Sequence, residues 1–370
     1  MKKTQRRYDL DWWRVISIFL VFLHHIGMPF NGDDFHIMNG TSSKLLDDSM
    51  VFFEQFRLPL LFIISGVGTV FAFSKRSWLQ FIKERALRLL IPLIFGVFII
   101  VPPQTYIEQI NTYASYSTFY KGILDHIEVN HLWFIENLFY LSVASIPLIL
   151  FIRSKYAIRF KNIITVFTSK PLGMFLLVLP LMIIKIVSKK YYPDDSSDIT
   201  NLSTTLFYGY FFIVGIILAG TPAVWESLKK YRKTNLLLTV MATLVFYAYY
   251  FMPNDIASSY WEVSTRWRIW YGVSALVSWT VICTLLGYGQ LWLSKPSTLL
   301  TKCNEAIYPF YILHQTVLIV IGYYVIQQSW SIPVKLLILA LSSFLMIVCI
   351  YRYIVYPFKI MRFLFGMKKK

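Results

Sequence analysis

The sequence reads as an all-α, polytopic integral membrane protein of about ten transmembrane helices, with both termini cytoplasmic. Three observations lead there. Of the 370 residues, 56% are hydrophobic and only 15% charged, against about 45–50% and about 25% in soluble domains. Apolar runs long enough to cross a bilayer, about 20 residues each, recur along the chain. The cations are distributed unequally between alternate connecting segments.

The runs fall at 12–30, 51–73, 89–107, 131–152, 171–188, 203–220, 235–252, 269–291, 305–325 and 332–354. They are too long for strands and lack the two-residue alternation of a sheet or of a membrane β-barrel. The run at 12–30 holds Arg14, His24 and His25, with no small-residue cleavage pattern after it, so it reads as a retained span and not a signal peptide. The run at 51–73 carries Ser65-Gly66-Val67-Gly68, which permits close helix packing. The run at 89–107 follows the basic stretch FIKERALRLLIP, and the run at 131–152 opens on HLWFIENL. The run at 305–325 contains Pro309, which is expected to break its backbone pattern and to mark a cavity-lining helix.

Charge tests the count. With the N-terminus inside, the inner segments hold Lys2, Lys3, Arg6, Arg7, Lys75, Arg76, Lys83, Arg85, Arg88, Arg153, Lys155, Arg159, Lys161, Lys170, Lys229, Lys230, Arg232, Lys233, Lys295, Lys302, Lys359, Arg362, Lys368, Lys369 and Lys370. The outer side holds Lys44, Arg57, Lys121, Lys185, Lys189, Lys190, Arg266, Arg268 and Lys335, while Arg14 and Arg352 lie within spans. This inside excess follows the positive-inside rule. An odd number of spans would put one basic terminus outside. The net charge of +17 is thus a topology signal with lipid headgroup contact, and no phosphate loop, zinc finger or RNA-binding signature points to nucleic acid. Three cysteines without CxxC spacing, and six histidines without ligand spacing, predict neither a disulfide framework nor a metal site. Neither a repeat nor a shift in composition marks a second domain, so residues 1–370 read as a single domain.

Ionisable residues inside a span cost about 2.5–3.5 kcal/mol at its centre, so those present usually face a cavity or a partner. Arg14 and His25 are eleven residues apart, which puts them on one helix face about 16 Å apart along the axis. Taken alone, Arg14 fits snorkelling to inner headgroups as well as a polar cavity. His25 likewise fits a structural or a catalytic histidine, and His24, about 100° around the helix, is a structural neighbour. Asp11, three residues before Arg14, can pair with it. Arg85 and Arg88 offer two guanidinium forks suited to a phosphate, or simply two more inner cations. His131 and Trp133 in HLWFIENL fit an aromatic belt or the face of a sugar. Tyr311, His314 and Gln315 in YPFYILHQ form another polar group, for helix packing or for substrate.

In this order the clusters resemble the acyltransferase type 3 membrane family, which includes glycan O-acetyltransferases and the succinyltransferases that modify periplasmic glucans. The matching stretches are RRYDLDWWRVISIFLVFLHHIGMPF, FRLPLLFIISGVG, FIKERALRLLIPLIFG, HLWFIENLFYL and YPFYILHQ, from residue 6 to about 315. The pair Arg14 and His25 followed by Arg85-x-x-Arg88 is the most specific element. Val101-Pro102-Pro103-Gln104 and HLWF lean toward the glucan succinyltransferase-like branch. Trp13 stands where relatives often have Leu, a packing change.

The resemblance implies an acyl-CoA donor, acetyl-CoA or succinyl-CoA, on the cytoplasmic side, and a glycan hydroxyl as acceptor on the outer side. It implies no metal. It makes His25 the catalytic histidine with Arg14 its essential partner and Asp11 beside it, and it gives the CoA phosphates to Arg85 and Arg88. His131, Trp133, Tyr311, His314 and Gln315 would meet the acceptor. Histidine suits the chemistry because its ordinary pKa is near neutrality. Direct attack by the sugar hydroxyl and an acyl-imidazole intermediate both remain open. A succinyl group would want a further cation, for which Arg57 is a weak candidate. Some relatives carry a fused extracytoplasmic hydrolase-like domain, so here such a step would need a partner protein. The expected location is the inner or plasma membrane, multi-pass. The rival class is a transporter or flippase of a glycan or lipid-linked sugar, marked by interrupted spans in corresponding positions of two halves. A sensor or scaffold would leave Arg14 and His25 unexplained.

Overall fold

Each of the ten apolar runs lies on helix, and no β-strand occurs among the described residues. The structure is a computed structural model that describes residues 6–194, 196 and 198–368. Lys2, Lys3, Lys369 and Lys370 from the charge count lie outside the described residues. Helix α1 is Tyr8–Asn31, with Asp9 and Asp11 in its first turn, where they favour the positive helix end. Helices α2 (Lys44–Glu54) and α3 (Arg57–Phe73) follow, then α4 (Trp78–Glu108), α5 (Asn130–Ala144) and α6 (Ile146–Arg153). Next come α7 (Lys155–Thr168), α8 (Gly173–Tyr191), α9 (Leu202–Gly220), α10 (Pro222–Lys230), α11 (Arg232–Tyr250) and α12 (Asn254–Tyr260). The last four are α13 (Val263–Trp292), α14 (Thr298–Ile326), α15 (Ile332–Val355) and α16 (Lys359–Leu364).

Among the described residues seven helical stretches are long and apolar enough to cross a membrane, and up to ten if each of three bent pairs counts as one span. The bends are 49° between α5 and α6, 114° between α7 and α8, and 96° between α11 and α12. The sequence reading treated the region before residue 171 as connecting segment. It is instead helix α7, with Tyr156, Ile158, Ile163 and Val166 exposed among its cations. Short apolar spacing within a basic stretch produced that helix, and no 20-residue run announced it.

Two further differences come from proline. Pro309 does not break α14, which continues from Thr298 to Ile326. Buried Ile307, Phe310, Ile312 and Leu313 on both sides hold the helix through it. Helix α4, by contrast, contains two wide turns, Ala86–Leu90 and Gly96–Ile100, each closed by a bond five residues back. Pro92 has no N–H for the Arg88 carbonyl, nor Pro102 for that of Phe98. Hydroxyls fill these positions. Tyr308 donates to the Arg88 carbonyl at 3.0 Å, and Tyr120 to that of Phe98 at 2.9 Å. The nearby Ile100 carbonyl accepts from Thr316 at 2.6 Å.

The chain divides into two compact units. The first comprises Met1–Arg14, Gln55–Trp78 and Leu141–Pro296. In it α3 packs on α9 with backbones in contact. A Cβ at Gly66 would lie 2.1 Å from the Phe212 carbonyl oxygen, and one at Gly215 would lie 2.1 Å from that of Ile63. This is the close approach expected from the Ser65–Gly68 segment. Phe62, Phe211, Phe212 and Trp279 are fully buried in this unit, and the Trp279 indole donates to the Met174 carbonyl at 2.7 Å. The second comprises Val15–Glu54, Leu79–Tyr140 and Ser297–Lys370. Here α14 packs on α15 and on the last turns of α4. The Lys335 ammonium, buried at 5% exposure, holds the Asn39 side-chain oxygen at 2.7 Å and the Ile326 carbonyl at 2.9 Å.

Candidate active site

Helix α1 carries Arg14 and His25 three turns apart, and each has its own surroundings. In the first unit a cavity of about 360 Å³ is lined by Arg6, Arg7, Asp11, Arg14, Gly68 and Lys75, among others. Arg14 meets Asp11 at 3.4 Å, and Asp11 is also bridged by Arg6 at 2.8 Å. Asp9 takes Arg7 at 2.6 Å, and the Arg7 guanidinium lies 3.8 Å from the centroid of the Trp225 ring. Four cations and two carboxylates thus leave the cluster net positive, an environment for an anionic group. The expected pairing of Asp11 with Arg14 is present, with Asp11 shared between two arginines.

In the second unit His25 enters a polar network buried among apolar side chains. Its Nδ1 lies 2.8 Å from Nε2 of His314, and the two rings are inclined by only 17°. Phe35 lies nearly parallel to the His25 ring at 6.2 Å. His314 is 1% exposed and its Nδ1 bonds the Tyr311 carbonyl. The Tyr311 hydroxyl donates to the His131 carbonyl, while His131 Nε2 donates to the Ile312 carbonyl at 3.0 Å. The Gln104 amide donates to Thr316 and lies 3.4 Å from His131 Nδ1. The Gln315 amide donates to the Gln104 oxygen and to His36 Nε2, both at 3.1 Å. His36 Nδ1 meets the Glu108 carboxylate at 2.7 Å. Donors and acceptors match at every link.

His131, Tyr311, His314 and Gln315 are therefore brought together with His25. Trp133 lies half-buried in the first turn of α5, two residues past His131. His24 turns away to Glu54, at 3.4 Å, as its angle on the helix predicted. Arg85 and Arg88 lie apart from the histidines, at the first wide turn of α4. Arg88 is bridged to Glu84 at 2.9 Å, and the Arg85 guanidinium lies 5.0 Å from the Phe81 ring. The Arg88 carbonyl is bonded to Tyr308, six residues before His314 on α14, or about 9 Å along the helix. His36, Gln104, Glu108 and Thr316 were not singled out as site residues. Gln104 lies in the Val101–Gln104 stretch, which gave a signal. His36 and Glu108 lie in no motif. Arg57 is buried in the first unit. Among the described residues no group of three or more His, Cys, Asp or Glu is placed to hold a metal ion.

A family model described as an acyltransferase domain, Acyl_transf_3, matches residues 7–352. The chain belongs to this acyltransferase family. Members of the family are acyltransferases. Curated relatives of the chain are named glucans biosynthesis protein C. That of Salmonella paratyphi B (strain ATCC BAA-1250 / SPB7) is 26% identical over 237 residues, which cover 57% of this chain and 58% of the relative. That of Salmonella heidelberg (strain SL476) is 26% identical over 227 residues, with the same shares. The chain therefore spans less than two thirds of the length of the relatives it matches. No solved structure matches this chain.

Proposed function

We propose that this chain is an O-acyltransferase of the inner or plasma membrane that moves an acetyl or succinyl group from cytoplasmic acyl-CoA to a hydroxyl of an extracytoplasmic glycan. On this reading the whole chain is one acyltransferase domain of ten spans with both termini cytoplasmic. The inner excess of Lys and Arg supports that orientation. The observation that carries the proposal is His25. It is an ionisable ring on a membrane-capable helix, joined to a satisfied polar network, in a chain of an acyltransferase family. Such a network orients a base.

The step runs as follows. The glycan hydroxyl gives its proton to His25 as its oxygen attacks the thioester carbonyl. A C–O bond forms, the C–S bond breaks, and the CoA thiolate takes the proton back from His25. An acyl-imidazole route uses the same ring as nucleophile. Arg14, about 16 Å from His25 along the helix, steadies the CoA chain of the donor, with Asp11 moderating its charge. Arg85 and Arg88 hold the CoA phosphates. His131, Trp133, Tyr311, His314 and Gln315 belong to the acceptor region.

The test is His25→Ala. Expression and membrane insertion should be unchanged while purified protein, given radiolabelled acyl-CoA and glycan, transfers no acyl group. Wild-type transfer by this variant would overturn the assignment. The three bent helix pairs are the observation that favours a second reading, a transporter or flippase of a glycan or lipid-linked sugar. Substrate flux into vesicles without donor turnover would select it.

A further inference from the structure

We propose that His314 is a positioning residue that sets the tautomer of His25, placing the lone pair of the neutral His25 ring on Nε2. The inference rests on the reading of His25 as the base and adds to it the atom that accepts the proton and the group that selects that atom.

The assignment begins at a carbonyl. The Tyr311 carbonyl oxygen can only accept, so His314 Nδ1, bonded to it, carries the hydrogen. A neutral imidazole has one N–H, so His314 Nε2 is an acceptor. His25 Nδ1 lies 2.8 Å from that acceptor. The hydrogen between the two rings therefore belongs to His25 Nδ1. In the neutral His25 ring the other nitrogen, Nε2, then has no hydrogen.

The geometry suits such a bond. The rings are inclined by 17° with centroids 5.0 Å apart, while the two nitrogens are at 2.8 Å. The rings thus meet edge to edge in nearly one plane, where N–H and lone pair are in line. His314 is 1% exposed, and its bonds among the described residues go to His25 and to the Tyr311 carbonyl. No carboxylate among the described residues bonds it. A charged His314 would be a buried cation without an anionic partner, and would donate from both nitrogens.

The remaining links leave His314 in this role. His131 Nε2 donates to the Ile312 carbonyl, and His36 Nε2 accepts from Gln315. Neither ring competes for His314 Nε2. When the attacking hydroxyl gives its proton to His25 Nε2, the Nδ1–H bond to His314 persists and steadies the imidazolium. The proton then leaves from Nε2 to the CoA thiolate as the C–S bond breaks. His314 gains and loses no proton in the cycle.

Solid-state NMR of isotope-labelled full-length protein in lipid reads the tautomer, with the His25 signal identified by its loss in His25→Ala. Wild type should show Nδ1–H at His25. His314→Asn keeps an amide for the Tyr311 carbonyl but ends short of His25. It should mix the His25 tautomers and lower kcat roughly a hundredfold, with KM for donor and acceptor within about twofold, since a positioned base contributes about 10²–10⁴. His314→Gln carries its amide oxygen to the place of Nε2. It should restore the Nδ1–H tautomer and bring kcat back to within about tenfold of wild type, on the same scale. An Nε2–H tautomer at His25 in wild type, or wild-type kcat in His314→Asn, overturns the proposal. If His25→Ala is inactive while His314→Asn is fully active, this proposal alone fails. If His25→Ala keeps full activity, the base reading fails, and the proposed role of His314 in proton transfer fails with it.

Discussion

Two glycines two residues apart on α3 should respond oppositely to alanine. A Cβ at Gly66 would lie 2.1 Å from the Phe212 carbonyl oxygen and 3.2 Å from the Gly215 Cα. These are backbone atoms of α9, which no rotamer change can remove. Ordinary contact begins at 3.4 Å, so the helices must part by about 1.3 Å. A gap of even about 0.5–1 Å forfeits a quarter to a half of the dispersion well, and here the fully buried Phe62, Phe211 and Phe212 lose it together. Gly66→Ala should therefore destabilise by about 2–3 kcal/mol, the upper part of the range for overpacked cores. At Gly68 the nearest atom is the Arg14 guanidinium at 3.9 Å. Gly68→Ala should instead gain about 0.5–1 kcal/mol from reduced backbone entropy. The difference of about 3 kcal/mol corresponds to roughly 6–12 °C in Tm for a unit of this size. Thermal unfolding of the two variants in the same detergent, followed by tryptophan fluorescence, measures it. A Gly66→Ala melting point equal to or above that of Gly68→Ala would refute the backbone contact.

Arg85→Ala and Arg88→Ala should each raise the KM for acyl-CoA by roughly ten- to a hundredfold, the worth of a charge-assisted hydrogen bond. Unchanged donor KM in both variants would mark them as topology charges alone. Lys335→Met keeps the aliphatic stem but leaves the Asn39 side chain and the Ile326 carbonyl without their donor. It should cost about 1–3 kcal/mol and increase protease cleavage between residues 32 and 43. A cleavage pattern like that of wild type would contradict this.

The spans were legible because a bilayer imposes length, and length survives without any tertiary knowledge. The polar residues on them were legible for the same reason, since Arg14 and His314 stand out against lipid-compatible neighbours. Their partners were not. His25 meets a ring 289 positions away, and His36 meets a carboxylate 72 positions away. No periodicity encodes such pairings. Proline misled in both directions. Pro309 signalled a break that packing on both sides of α14 prevents. Pro92 and Pro102 signalled nothing of the hydroxyls from Tyr308 and Tyr120 that meet the carbonyls they leave open. Local rules locate an orphaned carbonyl, but the group that satisfies it comes from elsewhere in the fold. Helix α7 escaped because its apolar residues are spaced for an exposed amphipathic face and never form a long run.

The wide turns at 86–90, 96–100 and 351–355 also bear on how this sequence is compared with its kin. Each holds one residue more than an α-helical turn needs. A homologue with regular helix there would be one residue shorter, yet present the same faces before and after. The gap in such a comparison belongs inside the span, within those five-residue windows, and not in the neighbouring loops. Shifted into a loop, it would misregister Arg85 against Pro92, or Gly96 against Gln104, and so hide correspondences that the helix itself preserves.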